Sequence, residues 1–352
     1  MPTTLADQGG WVSVLGPLTQ RHDLDEEQAR AAMAEILEGA ASPAQIAGFI
    51  VALRMKGETV GELTGLLQAM RDASERVVLA DLAGVVDIVG TGGDRSHSVN
   101  VSTMAAIVAA GAGARVCKHG NRAASSACGS ADVLEALGVV IDLGPEGVAR
   151  CVERAGMGFC FAPRFHGAMR HAGPTRRELG VPTVFNFLGP LANPAGVRRY
   201  VVGVSDATMA VRMAEVLAAA GAERAFIVHG GDGLDEITIT TTSNVVELID
   251  GEVHEITVDP TEHGLGPASL ADLRGGDAAA NASVVHEVLG GEAGPHRDIV
   301  VLNAAAGLVA AGSAPDYEAG IAAARSAIDD GRAAAALDRL VAESKAARAD
   351  GL

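Results

Sequence analysis

Residues 85–94 read VVDIVGTGGD: an apolar, β-branched run that ends abruptly in Gly90-Thr91-Gly92-Gly93-Asp94. Without a Cβ, glycine adopts positive φ and lets backbone N–H groups close on an anion. A helix-compatible run follows at residues 102–110. Strand, glycine loop and helix N-terminus together commonly hold phosphate. The same pattern also makes plain tight turns, so the residues that converge on it decide its meaning.

Outward from this stretch the chain alternates. Apolar strand-type runs at 85–89, 114–117, 139–141, 200–204 and 225–228 are interleaved with helical runs at 104–110, 131–137 and 209–220. That alternation predicts an α/β fold with a mostly parallel sheet covered by helices. Ahead of it, residues 24–76 predict three helices, two opened by capping boxes at Ser42–Gln45 and Thr59–Glu62. Ile46, Phe49 and Leu53 are apolar positions there, free to pack within the chain or against a second subunit. The expected division is a small helical domain over 1–82 and a large α/β domain over 83–352. Residues 145–190 carry short helical runs, and part of 165–190 is expected to pack back on the helical domain, leaving a cleft between the two. Residues 237–258 alternate around Asp250-Gly251, a type I′ hairpin signal. The alanine-rich last hundred residues predict helices around one buried strand at 299–302.

Composition excludes several function classes. The 352 residues can bury a sizeable core. The net charge of −17 and the scarcity of aromatics argue against a nucleic-acid surface. A phosphorylated small molecule remains compatible if a few cations focus in one cleft. Cys117, Cys128, Cys151 and Cys160 form no CxxC pair or zinc-like spacing, and read as small buried side chains in a reducing compartment. The start lacks a basic n-region and an apolar h-region, and no run is long enough for a bilayer, so a soluble, cytoplasmic protein without membrane partners is expected.

Three loops follow expected strands: Gly90–Asp94, the run KHGNRAASS at 118–126, and HGGDGLDE at 229–236. In an open α/β sheet, ligands bind beyond the carboxyl ends of the strands. The first loop offers N–H groups, the second cations, an amide and hydroxyls, the third adjacent carboxylates. Together they suit a magnesium-complexed polyphosphate, with Asp235 and Glu236 holding hydrated metal. Each has a plainer reading: a solvated acidic turn, surface ion pairs for Lys118 and Arg122, a structural His119. Arg95 stands where a dinucleotide fingerprint needs its third glycine, and no P-loop or nucleophile-elbow string follows a strand.

The ordered set GTGGD, NVST at 100–103, KHGNRAASS, SADVLEALG, GFCFAPRFH at 158–166, RRELG, PTVFNFLGPLANP and HGGDGLDE resembles the anthranilate phosphoribosyltransferase family, from the N-terminal helices almost to the C-terminus. The resemblance implies a nucleoside phosphorylase-like homodimer formed through the helical domain. It also implies transfer of phosphoribose from 5-phosphoribosyl 1-diphosphate (PRPP) to the amine of anthranilate, in tryptophan biosynthesis, with two magnesium ions per active site.

Residue by residue, it implies that Gly90, Thr91, Gly92, Gly93 and Asp94 wrap the diphosphate, with Ser98, Asn100, Ser102 and Thr103 beside them. Lys118, Asn121 and Ser130 fall where the family contacts the sugar phosphates, and Ser102, Asp235 and Glu236 where it holds metal. Gly90, His119, Asn121, Pro163, His166, Met169 and Arg176 fall where it receives anthranilate, Arg176 against the carboxylate. No general base is assigned. Two departures stand out: Ser98 where threonine is usual, and Gly167 where proline is common, which touches acceptor affinity. A pyrimidine nucleoside phosphorylase is the enzyme alternative, and a catalytically silent nucleic-acid-binding relative the non-enzyme one.

Overall fold

The computed structural model describes residues 4–94, 96–123 and 127–352. It begins with four helices: α1 (Trp11–Thr19), α2 (Glu26–Leu37), α3 (Pro43–Lys56) and α4 (Val60–Asp72). Both expected capping boxes form, and Asp25 with Gln28 makes a third at the start of α2. Helix α1 escapes sequence reading because Gly16 and Pro17 interrupt its short apolar run. Ile46, Phe49 and Leu53 are buried within the chain itself, with Phe49 edge-on to Trp11 at 6.0 Å between ring centroids.

Seven strands form one sheet: β1 (Val85–Gly90), β2 (Arg115–Gly120), β3 (Met157–Phe161), β4 (Arg199–Gly203), β5 (Arg224–Gly230), β6 (Ser243–Ile249) and β7 (Glu252–Val258). Their order is β3-β2-β1-β4-β5-β6-β7; pairings from β3 through β5 are parallel and the last two antiparallel. The hairpin turns at Asp250 and Gly251, whose φ values of 53° and 83° match a type I′ turn. Residues 237–242 stay outside it: Ile237 exchanges hydrogen bonds with the buried Asn303 side chain (3.0 and 2.8 Å) instead.

Helices α5 (Val101–Gly111), α6 (Ser130–Ala136) and α7 (Pro145–Ala155) lie on the β1-to-β3 crossovers. Right-handed connections put these on one face of the sheet and the β4-to-β5 crossover helix on the other. Two expected strands are absent. Residues 139–141 are irregular, because the Val140 N–H bonds to Ser344 Oγ (3.1 Å) instead of a ladder. The third strand is Met157–Phe161, read from sequence only as part of a motif. Residues 299–302 lie inside a long helix, since a run that is apolar on every side fits a buried helix as well as a buried strand.

After β3 the chain returns to the helical unit through α8 (Ala162–Phe165), a 3-10 turn at Gly167–His171, α9 (Gly173–Leu179) and α10 (Phe185–Leu191). The turn packs on α2, α9 on α3 and α10 on α4. The connection out of α4 is stitched to this segment: Glu75 N–H donates to Phe165 O (3.0 Å) and Val77 N–H to Pro194 O (3.2 Å). Arg71 reaches across from α4 to Leu191 O (3.0 Å) and the buried Tyr200 hydroxyl (3.2 Å). Helix α11 (Ala210–Ala219) packs on β5 and against α4, and α12 (Ala278–Leu289), α13 (Pro295–Ala311), α14 (Tyr317–Asp329) and α15 (Arg332–Ala349) complete the fold. Every residue of α13 from Ile299 to Ala311 is buried against the sheet and α5.

Candidate active site

Strand order reverses between β1 and β4, because the chain leaves β1 toward β2 and β3 and comes back to β4. The crevice outside a reversal is where open α/β sheets bind ligands, and the glycine loop lies there. Thr91 N–H donates to Gly203 O (2.8 Å), Ser205 N–H to Thr91 Oγ1 (3.3 Å), and Ser205 Oγ to Gly92 O (3.2 Å). Gly92 and Gly93 take φ values of 66° and 86°, which other residues rarely adopt. Asp94 accepts from Ser96 Oγ (2.7 Å), which in turn meets Ser98 Oγ (3.1 Å). Asn100 donates to Cys128 O (3.1 Å) and accepts from Asn281 (2.8 Å), bolting the start of α5 to the later helices. The Thr103 hydroxyl is buried without a partner among the described residues. Arg95 and the Ala124, Ser125 and Ser126 part of the second loop lie outside the described residues.

The carboxylates of the third loop reach this cradle. Asp235 Oδ2 accepts from Gly92 N–H (2.7 Å), and Glu236 Oε1 from Ser102 N–H (3.1 Å) at the α5 N-terminus. Two N–H donors of the cradle, those of Gly92 and Ser102, are thus held by the protein's own carboxylates. Both are buried. Burial, then the neighbouring Asp94, pushes Asp235 up to about 6. Burial, then Asp235, pushes Glu236 well above the carboxylate range. Such crowded, desolvated carboxylates fit a divalent cation, which would reverse both penalties. Among the described residues no three His, Cys, Asp or Glu side chains form a ready-made cage; two carboxylates and a hydroxyl suit an ion that keeps several waters.

Lys118 is no surface cation. It is buried, donating to Ile88 O and to Ser102 Oγ (3.2 Å), and burial lowers its affinity for the proton despite Asp87, Glu236 and Asp235 nearby. Arg122 does make exposed ion pairs, with Asp132 (2.8 Å) and Glu135 (2.9 Å). Asn121 and Ser130 lie together: Asn121 N–H donates to Ser130 Oγ (3.2 Å), and that hydroxyl to Asn121 O (3.1 Å).

Next to Lys118 on β2, His119 meets His166 with ring centroids 5.0 Å apart. The first ring is hydrogen-bonded to the Gly189 backbone, the second to that of Ala192, and each leaves a buried Nε2 without a partner among the described residues. Burial, then His166 and Lys118, holds His119 well below the usual histidine range; burial pushes His166 down to about 4. Both rings are therefore neutral near pH 7. Pro163 is the second residue of α8, three positions before His166, and Met169 lies in the 3-10 turn just after. On α9, Arg176 is half-buried with its guanidinium 4.8 Å from the Phe185 ring centroid and, among the described residues, no carboxylate partner; burial lowers its pKa. A stacked cation whose fork is free is set to receive a planar anion.

Sequence reading missed Gly203 and Ser205, which pin the glycine loop. A Cβ on Gly203 would overlap the Asp235 main-chain oxygen, and one on Gly90 would stand 2.5 Å from Asp235 Oδ2. The signal was available, since the run 200–204 ends a strand and loops beyond strand ends are candidates by position alone. Asp87 and Asn193, both buried, were also missed, because nothing in sequence marks them as facing one another.

Two family matches divide the chain: the helical bundle domain of the glycosyl transferase family over residues 12–74, and its a/b domain over 82–334. An anthranilate phosphoribosyltransferase of Salinispora arenicola is 52% identical over 96% of this chain and 98% of its own length. That of Mesorhizobium japonicum is 54% identical over 90% and 94%. Among solved structures, the Thermus thermophilus anthranilate phosphoribosyltransferase superposes with a TM-score of 0.89 at 44% identity, covering 94% of this chain and 99% of that one. The Saccharomyces cerevisiae one, solved with PRPP and Mg, gives 0.86 at 27% identity over 96% and 98%.

Proposed function

The chain belongs to the anthranilate phosphoribosyltransferase family, and from that premise we propose how its residues carry out the reaction. It transfers the 5-phosphoribosyl group from PRPP to the amine of anthranilate, giving N-(5-phosphoribosyl)anthranilate and diphosphate, a step of tryptophan biosynthesis. The observation that carries the residue assignment is Arg176: a half-buried cation stacked on Phe185 and, among the described residues, without a carboxylate partner, in the same chain segment as His166 of the buried histidine pair. Together with the phosphate-type cradle, these groups suit one anionic aromatic substrate and one polyphosphate.

The Gly90–Asp94 loop, with Ser98, Asn100, Ser102 and Thr103, cradles the diphosphate through its N–H groups and hydroxyls. Lys118, Asn121 and Ser130 serve the phosphoribosyl moiety. Asp235, Glu236 and the Ser102 hydroxyl would hold magnesium, two ions per site, and the carboxylates would release Gly92 and Ser102 N–H for the ligand. When bound, magnesium supplies positive charge to the departing diphosphate. Arg176 orients the anthranilate carboxylate. His119 and His166, neutral and with free Nε2 atoms, accept N–H hydrogen bonds from the aryl amine and aim its lone pair at C1. Gly90, Pro163 and Met169 complete the walls. The C1–oxygen bond breaks, its electron pair leaving with diphosphate, as the C1–nitrogen bond forms, and the amine's surplus proton passes to solvent, so the protein contributes mainly orientation and fixed dipoles.

The domain boundary at 82/83 follows the passage from α4 into β1. A cytoplasmic homodimer is part of the same reading, supported by the exposed apolar side chains Val12, Val51 and Met55 on α1 and α3; among the described residues, no helix is long and apolar enough to cross a membrane. Sedimentation should give twice the chain mass. The chain, incubated with PRPP, magnesium and anthranilate, should consume anthranilate fluorescence while releasing equimolar diphosphate. Phosphorolysis of uridine or thymidine without anthranilate turnover would overturn the assignment in favour of a nucleoside phosphorylase.

A further inference from the structure

Backbone hydrogen bonds between β1 and β2 end early. The strands pair at Val85↔Arg115 and Val86↔Val116 only. Yet β1 stays paired with β4 through Gly90↔Gly203, and β2 with β3 through Gly120↔Phe161. Beyond Val86 the β1–β2 ladder therefore stops although the strands stay side by side, and the buried main-chain groups along it need other partners. Side chains supply them. His119 N–H donates to Asp87 Oδ1 (3.0 Å), Cys117 O accepts from Asn193 Nδ2 (2.8 Å), and Ile88 O accepts from Lys118 Nζ.

Asn193 is the centre of this arrangement. It is 1% exposed; Nδ2 also donates to Asp87 Oδ2 (2.8 Å), and Oδ1 accepts from Ala195 N–H (2.9 Å). One amide thus joins β1, β2 and the turn after α10. The two acceptor-side rings hang from the ends of the same network. His119 is carried by the β2 segment that Asp87 and Asn193 grip, and its ring is bonded to the Gly189 backbone. The His166 ring is bonded to the backbone of Ala192, next to Asn193.

We propose that Asn193, anchored on Asp87, is a positioning residue for the acceptor substrate. It joins β1 to β2 where their ladder has stopped and sets the distance between His119 and His166. This rests on the reading of those histidines as anthranilate-side groups. The paired amide and carboxylate at the network's centre specify one geometry, because any shift leaves a donor or acceptor unpaired.

The test is steady-state kinetics of N193A, with each substrate varied at saturation of the other. Anthranilate kcat/KM should fall about tenfold, as small misplacements of reacting groups do, while PRPP kcat/KM stays within about twofold. D87N should lower both, because Asp87 also faces Lys118 on the phosphate side. Should N193A fail to fold, N193S, which keeps a hydroxyl donor toward Cys117 O, carries the same comparison. An equal fall in both constants for the Asn193 variant, or no change in either, overturns the proposal. Absence of anthranilate turnover by the unmodified chain would instead remove the functional reading beneath it.

Discussion

Replacing Arg176 by alanine separates the acceptor-side charge from everything else in the cleft. The guanidinium already lacks much of its water, stacks on Phe185 at 4.8 Å and, among the described residues, has no carboxylate to give up when a ligand arrives. Binding an anthranilate carboxylate therefore costs little further desolvation on the protein side. Hydrogen bonds to a charged group contribute about 1.5–3 kcal/mol, and each 1.4 kcal/mol is about tenfold. With the cost already met, the upper part of that range applies, and R176A should raise the anthranilate KM about a hundredfold. R176K keeps the charge but loses the planar fork and should recover roughly half of that free energy. Stability should hardly change: the lost stacking contributes about 0.5–1 kcal/mol, offset by no longer burying an unpaired charge. The assay is anthranilate fluorescence with each substrate varied in turn, beside thermal unfolding. An equal rise in the PRPP constant, or an anthranilate KM within about threefold of the unmodified chain, would refute the reasoning.

D235A combined with E236A should reduce magnesium-dependent turnover by at least about a hundredfold; turnover and metal dependence like those of the unmodified chain would rule out the metal role. G203A should be strongly destabilised or shift the 235–236 loop, because its Cβ overlaps the Asp235 carbonyl oxygen; unchanged magnesium titration and melting would show that the approach is not needed. His166 supplies a pH dependence. Its pKa is about 4 in the fold and near 6.5 when unfolded, so its contribution is present above pH 6.5 and is lost as pH falls toward 4. The unmodified chain should lose about 3 kcal/mol relative to H166Q over that window in denaturant titrations. Parallel stability curves for the two chains would contradict a buried neutral imidazole.

Motif chemistry was legible in the chain because it is local. GTGGD needs glycine for its own backbone, and capping boxes and the Asp250-Gly251 turn close within four residues. Strand-end logic then brought three loops to one crevice. Lys118 shows where that logic stops: sequence allowed a surface ion pair, and burial under Ile88 O and Ser102 made it an internal cation. The segments 139–141 and 299–302 were misread because a short apolar run carries no period of its own; which backbone groups remain unpaired around it decides its state.

By itself the sequence determined the alternating architecture, the glycine cradle, the carboxylate pair and the cation-rich loop, each set by residue types within a few positions. The tertiary structure alone decided that Asp235 and Glu236 occupy the cradle's own N–H groups, 143 and 134 residues away along the chain. It also decided that Asn193 meets Asp87 where the β1–β2 ladder ends, 106 residues apart. Such pairings follow from how strands splay and loops return, and no local preference encodes a partner at that distance.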